Sequence, residues 1–337
     1  MKFPSRLWFS VMMSAFIVGG ISVPVQAGTW TVNVENDRIA NTDRHYTNGF
    51  RIGWVSDAED GSDFPLIRET LQMLYPLATV REGRLGLELG HNMYTPADTE
   101  ARALITGDRP YAGWLYGGIS MHAETKRQNR SLFTDTLDTV ELDFGVVGPY
   151  ALGRQVQNGV HELINIAKSN GWGNQLDNEP GIMLIGERRW RSEPMRPFGL
   201  ELDVIPHIGG SLGNVMTYAG AGTMVRFGQS LDVDFGPPMI RPSLSGLAAV
   251  DKPVGFAWYL FAGAQGRAVA RDIFLDGSTF SDSHSVDKKT FVGDFQIGTA
   301  IAIDNVRLAV TQVFRTREFK GQRQPDRFGA VSLSVRF

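Results

Sequence analysis

The feature that most constrains this chain is a period of two. Trp30, Val32 and Val34 share a face, as do Phe50, Ile52 and Trp54, then Leu85, Leu87 and Leu89. Val140, Leu142 and Phe144 follow, and later Leu308, Val310 and Gln312. The last stretch is the clearest: Val331, Leu333, Val335 and Phe337 alternate with Ser332, Ser334 and Arg336. Alternation of this kind marks strands with one apolar face. About twelve such segments are expected, near 29–36, 45–56, 83–94, 111–125, 131–147, 181–192, 197–210, 214–228, 254–271, 287–303, 306–318 and 328–337. The face opposite the apolar one is mixed and rich in glycine: Gly113, Gly117, Gly118, Gly220, Gly222, Gly263 and Gly266.

Residues 1–27 have another design. Lys2 and Arg6 precede an apolar run from Leu7 to Val23, and Val25-Gln26-Ala27 has the small-x-small form of a cleavage site. The expectation is a signal peptide over 1–27 and one domain over 28–337. The formal charge is −3, from 33 Lys+Arg against 36 Asp+Glu, which argues against a nucleic-acid partner held by a basic surface. There is no cysteine, so thiol nucleophiles, thiolate metal sites and disulfides are excluded; only 6 histidines can serve as bases or ligands. No nucleophile elbow, zinc helix or phosphate-cradling glycine loop occurs.

After residue 23 no stretch approaches the ~20 apolar residues of a spanning helix. An export signal, glycine- and aromatic-rich strands, an even strand count and a terminal aromatic point instead to a transmembrane β-barrel. In hydrocarbon every backbone N–H and C=O needs a partner, and a sheet achieves that only by closing. The expected fold is therefore all-β, an antiparallel transmembrane barrel of about twelve strands with a short extracellular loop helix; a secreted β-sandwich is the alternative. The helix falls in 150–168, where Leu152, Val156, Val160, Leu163 and Ile164 form one apolar stripe, and a second short helix is read in 63–79. Connections 57–82 and 229–253 are long for the turns expected at the periplasmic end.

With both termini in the periplasm, the connection after each odd strand is extracellular. Three polar groups then meet at one rim: Glu35-Asn36-Asp37 with Thr42 to Gly49, His91 to Pro96 with Gly107 to Tyr111, and the helix with Gln155, Gln157, Asn158 and His161. Each has an ordinary reading. Glu35-Asn36-Asp37 reads as a turn or as hard oxygen ligands for a cation. Asp108-Arg109 reads as an ion pair or as a functional pair. Gln157 and His161 lie four apart on one helical face, and His161 is either a satisfied half-buried histidine or a general base; its polar neighbours favour the base.

Taken together, Val34-Glu35-Asn36-Asp37, Thr42 to Gly49, Tyr94-Thr95-Pro96, Asp108 to Trp114, and Gly145 to Pro149 followed by Gln155-Val156-Gln157-Asn158-x-x-His161 resemble the outer-membrane lipid A 3′-O-deacylase family. The motifs cover about the first half of the mature chain. The resemblance implies a twelve-stranded barrel that removes the 3′-linked acyloxyacyl chain of lipid A, needs Ca²⁺, and works between the barrel wall and a loop helix at the extracellular rim. It implies His161 as the base for water, Asn36 and Asp37 in the calcium and oxyanion region, Thr47 as a required rim residue, and Gln157 one turn before the histidine. Arg109 and Arg102 are the expected substrate contacts. Some members have a basic pair after Tyr-Thr/Ser-Pro, whereas this chain reads Ala97-Asp98-Thr99-Glu100-Ala101-Arg102. Lipopolysaccharide and outer-membrane lipids are the implied partners of a monomer in the bacterial outer membrane. The alternatives are an outer-membrane phospholipase with a Ser–His pair and a non-enzymatic small pore.

Overall fold

A computed structural model describes residues 28–37, 45–57, 64–80, 83–126, 132–163, 165, 167–237 and 254–337. The expected signal peptide, Thr42 to Arg44 and Ile164 lie outside the described residues.

Twelve antiparallel strands close into one barrel. They are β1 (Gly28–Asn36), β2 (His45–Ser56), β3 (Arg84–Thr95), β4 (Ala112–Lys126), β5 (Phe133–Val147), β6 (Glu179–Ser192), β7 (Glu201–Gly213), β8 (Met216–Gln229), β9 (Val254–Asp272), β10 (Phe291–Asp304), β11 (Val306–Arg315) and β12 (Asp326–Arg336). Each strand pairs with its neighbours in sequence, and β1 pairs with β12 to close the ring. The hydroxyls of Thr31 and Ser334 meet across that seam at 2.9 Å. Closure removes the two sheet edges that lipid could not satisfy. The expected strand count holds, with a late start for β7, where Pro197–Gly199 forms a single turn, and an early end for β11 at Arg315.

The two faces follow the alternation. Outside stand exposed apolar residues such as Leu87, Leu89, Phe144, Ile182, Leu260 and Ile297. Inside, the lumen is filled by buried charged groups in pairs. Arg226 donates to Asp203 at 3.0 Å, Arg307 pairs with Asp234 at 2.8 Å, and the Tyr259 hydroxyl also donates to Asp234 at 2.8 Å. Gly113, Gly117 and Gly266 depart from the expected face and lie on the outer wall: Gly117 stands between the exposed Leu89 and Phe144, Gly266 alternates with the lumen-facing Arg267, and a Cβ at Gly113 would meet Ala151 and the backbone of Gly153.

The up-and-down order puts the connections after odd strands at one rim, here the distal rim, and those after even strands at the end where the chain termini lie. The two long terminal-end connections both do structural work. One carries α1 (Pro65–Leu74), which packs on the outer wall with Leu71 and Tyr75 against Val80, Leu85, Met121 and Val140. The other turns through Leu231–Val233 and sends Asp234 into the lumen network. There burial alone would raise the Asp234 carboxyl, but Arg307 and Arg226 hold it below its ordinary value.

Candidate active site

The site is built on the outer wall near the distal rim. In β1, Thr31 and Glu35 face the lumen, because Thr31 meets Ser334 and Glu35 accepts from the Tyr46 hydroxyl at 2.5 Å. Asn36 is therefore on the outer face, opposite Asn48 of β2. The register of β2 against β3 slips between Tyr46 and Asn48, so Thr47 is a bulged residue. Tyr46 points inward to Glu35, and Thr47 points outward to meet Thr95, Oγ1 to Oγ1 at 2.7 Å. In β3, Glu88 pairs with Arg51 in the lumen, so His91, Met93 and Thr95 share the outer face, yet all are buried. Something covers them.

The cover is α2 (Gly153–Leu163), which packs on β3 and β4. It is shorter than the expected 150–168, because a tight turn at Pro149–Ala151 and Leu152 in the left-handed region delay its start. His91 Nε2 donates to the Ala151 carbonyl at 2.7 Å and ties the helix start to the wall. Gly113 and Gly153 lack side chains where helix and wall approach most closely. The face α2 turns to the wall is Gly153, Gln157 and His161. The expected apolar stripe points the other way: Leu152, Val156 and Val160 are exposed, and Leu163 is 76% exposed. That reverses the arrangement of a helix on a water-soluble core, whose apolar stripe faces inward. Next to lipid the reversal is sensible, because the surrounding medium is itself apolar.

The chain after α2 returns beneath it. Asn158 and Ser169 exchange two hydrogen bonds, 2.9 and 3.3 Å, and Asn170 and Asn174 tie this return to carbonyls of Glu100 and Arg102. Trp172 then packs on Tyr111 at 4.9 Å and donates its Nε1–H to Gln157 Oε1 at 2.7 Å. Gln157 Nε2 is buried with no acceptor among the described residues. His161 is 5% exposed, and its Nδ1 lies 2.7 Å from the Ala167 carbonyl. A carbonyl only accepts, so Nδ1 carries the proton and Nε2 of the neutral ring keeps its lone pair. One helical stripe thus carries an imidazole oriented through its Nδ1 and a buried amide donor with no acceptor among the described residues.

The remaining expected residues divide. Asp37 is buried just after β1. Arg102 is exposed on the distal rim. Arg109 is buried on the lumen side: it meets Glu318 at 3.3 Å and lies over the Tyr94 ring at 5.3 Å. It belongs with Arg267, Arg315, Asp294 and Glu318 in a network across the barrel mouth. Burial would raise Glu318, but Arg109, Arg315 and Arg267 hold it below its ordinary value. Asp108 is likewise held low, because hydrogen bonds from His45 and the Ala97 and Arg109 amides outweigh its burial. A Ser–His hydrogen bond does occur, Ser120 to His122 at 2.9 Å, but on the lumen face of β4 rather than the outer wall. Sequence reasoning missed Trp172, His91 and Thr95 as supports; the aromatic and polar residues were visible, but nothing local places them under a helix from another loop.

A closed antiparallel barrel, apolar outside and ion-paired inside, with a polar site on its outer wall, is a bacterial outer-membrane barrel protein. The family model described as outer membrane protein LpxR matches residues 7–337, nearly the whole chain. The chain belongs to the LpxR family and is a lipid A 3′-O-deacylase. The structure of LpxR from Salmonella typhimurium is similar at TM-score 0.72, with 20% identity, over 92% of this chain and 100% of that chain, and it shares the barrel fold. The β domain of the Bordetella autotransporter BrkA is 10% identical, at TM-score 0.44, over 93% of this chain and 100% of that one. No curated protein matches the chain.

Proposed function

We propose that His161 is the general base that activates water against the ester of the 3′-linked acyloxyacyl chain of lipid A, at the outer leaflet. The observation that carries this is the orientation of α2. Its polar stripe, Gln157 and His161, is shut against the outer wall while its apolar stripe faces outward. A base in that position is reached from the side by a substrate that stays in the membrane, and the acyl chains lying along the wall supply the positioning.

Water oxygen attacks the ester carbonyl as His161 Nε2 takes its proton. The tetrahedral intermediate collapses, the C–O bond to the sugar breaks, and the imidazolium returns the proton to the sugar 3′ oxygen. The products are the acyloxyacyl acid and a 3′-hydroxyl. The Ala167 carbonyl keeps the ring in the tautomer this needs. The Gln157 Nε2 donor, its partner oxygen already taken by Trp172, is available to the developing oxyanion. Thr47, turned outward by the bulge, adds a polar group to the same wall. Asn36 and Asp37 offer an amide oxygen and a carboxylate, hard donors suited to Ca²⁺, and would hold it. When bound, Ca²⁺ supplies Lewis-acid stabilisation of negative charge on the ester oxygen. Arg102 is free to meet a lipid A phosphate, whereas the pairing of Arg109 with Glu318 supports a structural part for that residue. The enzyme works as a monomer.

The test is the mass spectrum of lipid A from cells producing the wild type or His161→Ala. The expected wild-type change, with Ca²⁺ present, is loss of the 3′ acyloxyacyl mass; the variant leaves lipid A intact. Unchanged lipid A with a folded wild-type barrel would refute the reading.

A further inference from the structure

The lumen holds a cluster that the hydrolysis does not use. Glu88 of β3 and Glu141 and Asp143 of β5 each offer a carboxylate oxygen, and these oxygens lie within 4.8 Å of one another. All three residues are buried, and Asp143 is 0% exposed. Arg51 is their cation: it pairs with Glu88 Oε2 and lies 3.3 Å from Glu141 Oε2. That leaves Glu88 Oε1, Glu141 Oε1 and both oxygens of Asp143 buried with no hydrogen-bond donor among the described residues. The neighbouring Arg189 is already paired with Glu187, and His122 is held by Ser120 and Thr139.

Buried carboxylates without donors are costly, and one guanidinium cannot offset three carboxylates in their ionised form. A divalent ion that binds them in that form would supply the missing positive charge. The spacing is compatible with one ion, because oxygens bound at about 2.4 Å can stand no more than about 4.8 Å apart, and these lie within that limit. The backbone makes room. Gly118 of β4 sits between Glu88 and Asp143 in the sheet register. A Cβ there would come within 2.4 Å of Asp143 Oδ1 and 2.7 Å of Glu88 Oε1, so the glycine leaves the space in which the two carboxylates converge.

We propose that Glu88, Glu141 and Asp143 bind a hard divalent cation inside the barrel, a structural site on the opposite side of the wall from the hydrolytic one. Carboxylate oxygens alone favour Ca²⁺, Mg²⁺ or Mn²⁺ over softer metals. The ion would join β3 to β5 across β4 and brace the wall against which α2 is seated.

Mn²⁺ is the probe. The mature protein is purified in detergent, stripped with EDTA, and titrated with Mn²⁺ while electron paramagnetic resonance reads the free ion. Asp37→Asn is the background, so that the rim does not contribute. One Mn²⁺ per barrel is expected, displaced by excess Ca²⁺ and accompanied by a rise of several degrees in melting temperature. Adding Asp143→Asn should abolish both. If that variant does not fold, Gly118→Ala fills the cradle from the other side and should have the same effect. Crystals soaked in Mn²⁺ should give an anomalous peak among the three carboxylates. No Mn²⁺ bound to the folded Asp37→Asn barrel, equal binding after Asp143→Asn or Gly118→Ala, or an empty cluster in the soaked crystal would overturn the proposal. None of these readouts depends on lipid A hydrolysis.

Discussion

Two helices lie on the outer wall of this barrel, and they differ in what anchors them to it: a leucine in one, only polar side chains and a glycine in the other. At the terminal end, α1 buries Leu71 against Leu85, Met121 and Val140, and fixes Arg68 to the Gly83 carbonyl at 2.6 Å. It also buries Arg68 and leaves Leu66, Met73 and Leu74 exposed, and the Tyr75 hydroxyl just after it donates to Asp138 at 2.8 Å. At the distal rim, α2 buries Gln157 and His161 and exposes its aliphatic residues. The first helix turns its best hydrophobic contact inward and gains stability. The second forgoes that gain and buries a histidine and an amide donor between helix and wall. Burying polar groups costs free energy unless each has a partner, so an arrangement that leaves Gln157 Nε2 without an acceptor among the described residues suits a binding site better than a core.

The contrast can be broken by paired substitutions. His161→Ala is expected to lower deacylation by about 10²–10⁴, the usual worth of a general base, with little change in melting temperature. Leu71→Ala on α1 should do the reverse. It should cost about 2–5 kcal/mol of stability, read by thermal melting in detergent, with activity per folded barrel unchanged. Equal loss of activity from both would mean that the helices are not functionally distinct. Trp172→Phe is a finer test, because it keeps an aromatic ring against Tyr111 but removes the donor to Gln157 Oε1. A lost hydrogen bond of about 1 kcal/mol corresponds to a roughly fivefold slower rate, seen in initial rates of fatty-acyl release.

The smallest effect concerns acid. Asp108 and Glu318 at the distal rim are held below their ordinary values. A carboxyl lowered on folding contributes stability that is complete above its unfolded value and is lost as pH falls through the folded one. The rim should therefore loosen only below about pH 4. Asp108→Asn should remove part of that acid sensitivity and leave melting at neutral pH slightly lower, as a melting-temperature series across pH would read.

Much of this was legible in the sequence, for definite reasons. Strands β1 to β12 were visible because a barrel wall has water-like and oil-like sides, and a period of two records that directly. The location of α2 was visible from Leu152, Val156 and Val160, but not its orientation, since periodicity gives a stripe and not the medium it faces. Thr47 could not be aimed from alternation. Counting back from Trp54, Ile52 and Phe50 puts Tyr46 outside and Thr47 inside, and the bulge inverts both. The acidic cluster was invisible for a different reason. Glu88 and Asp143 are far apart in the chain, and only the register through Gly118 brings them together. Arg109 illustrates the limit of motif reading: the same residue that reads as a rim contact is folded in under the mouth, against Tyr94 and Glu318.

The central claim is that the aliphatic side of α2 faces the membrane while its polar side faces the wall. The chain has no cysteine, so Val156→Cys creates a single attachment point for a spin label without further engineering. In lipid vesicles, electron paramagnetic resonance should find that label strongly relaxed by oxygen, which partitions into hydrocarbon, and weakly by a water-soluble nickel chelate. A label relaxed by the chelate but not by oxygen, or immobilised and shielded from both, would contradict the account.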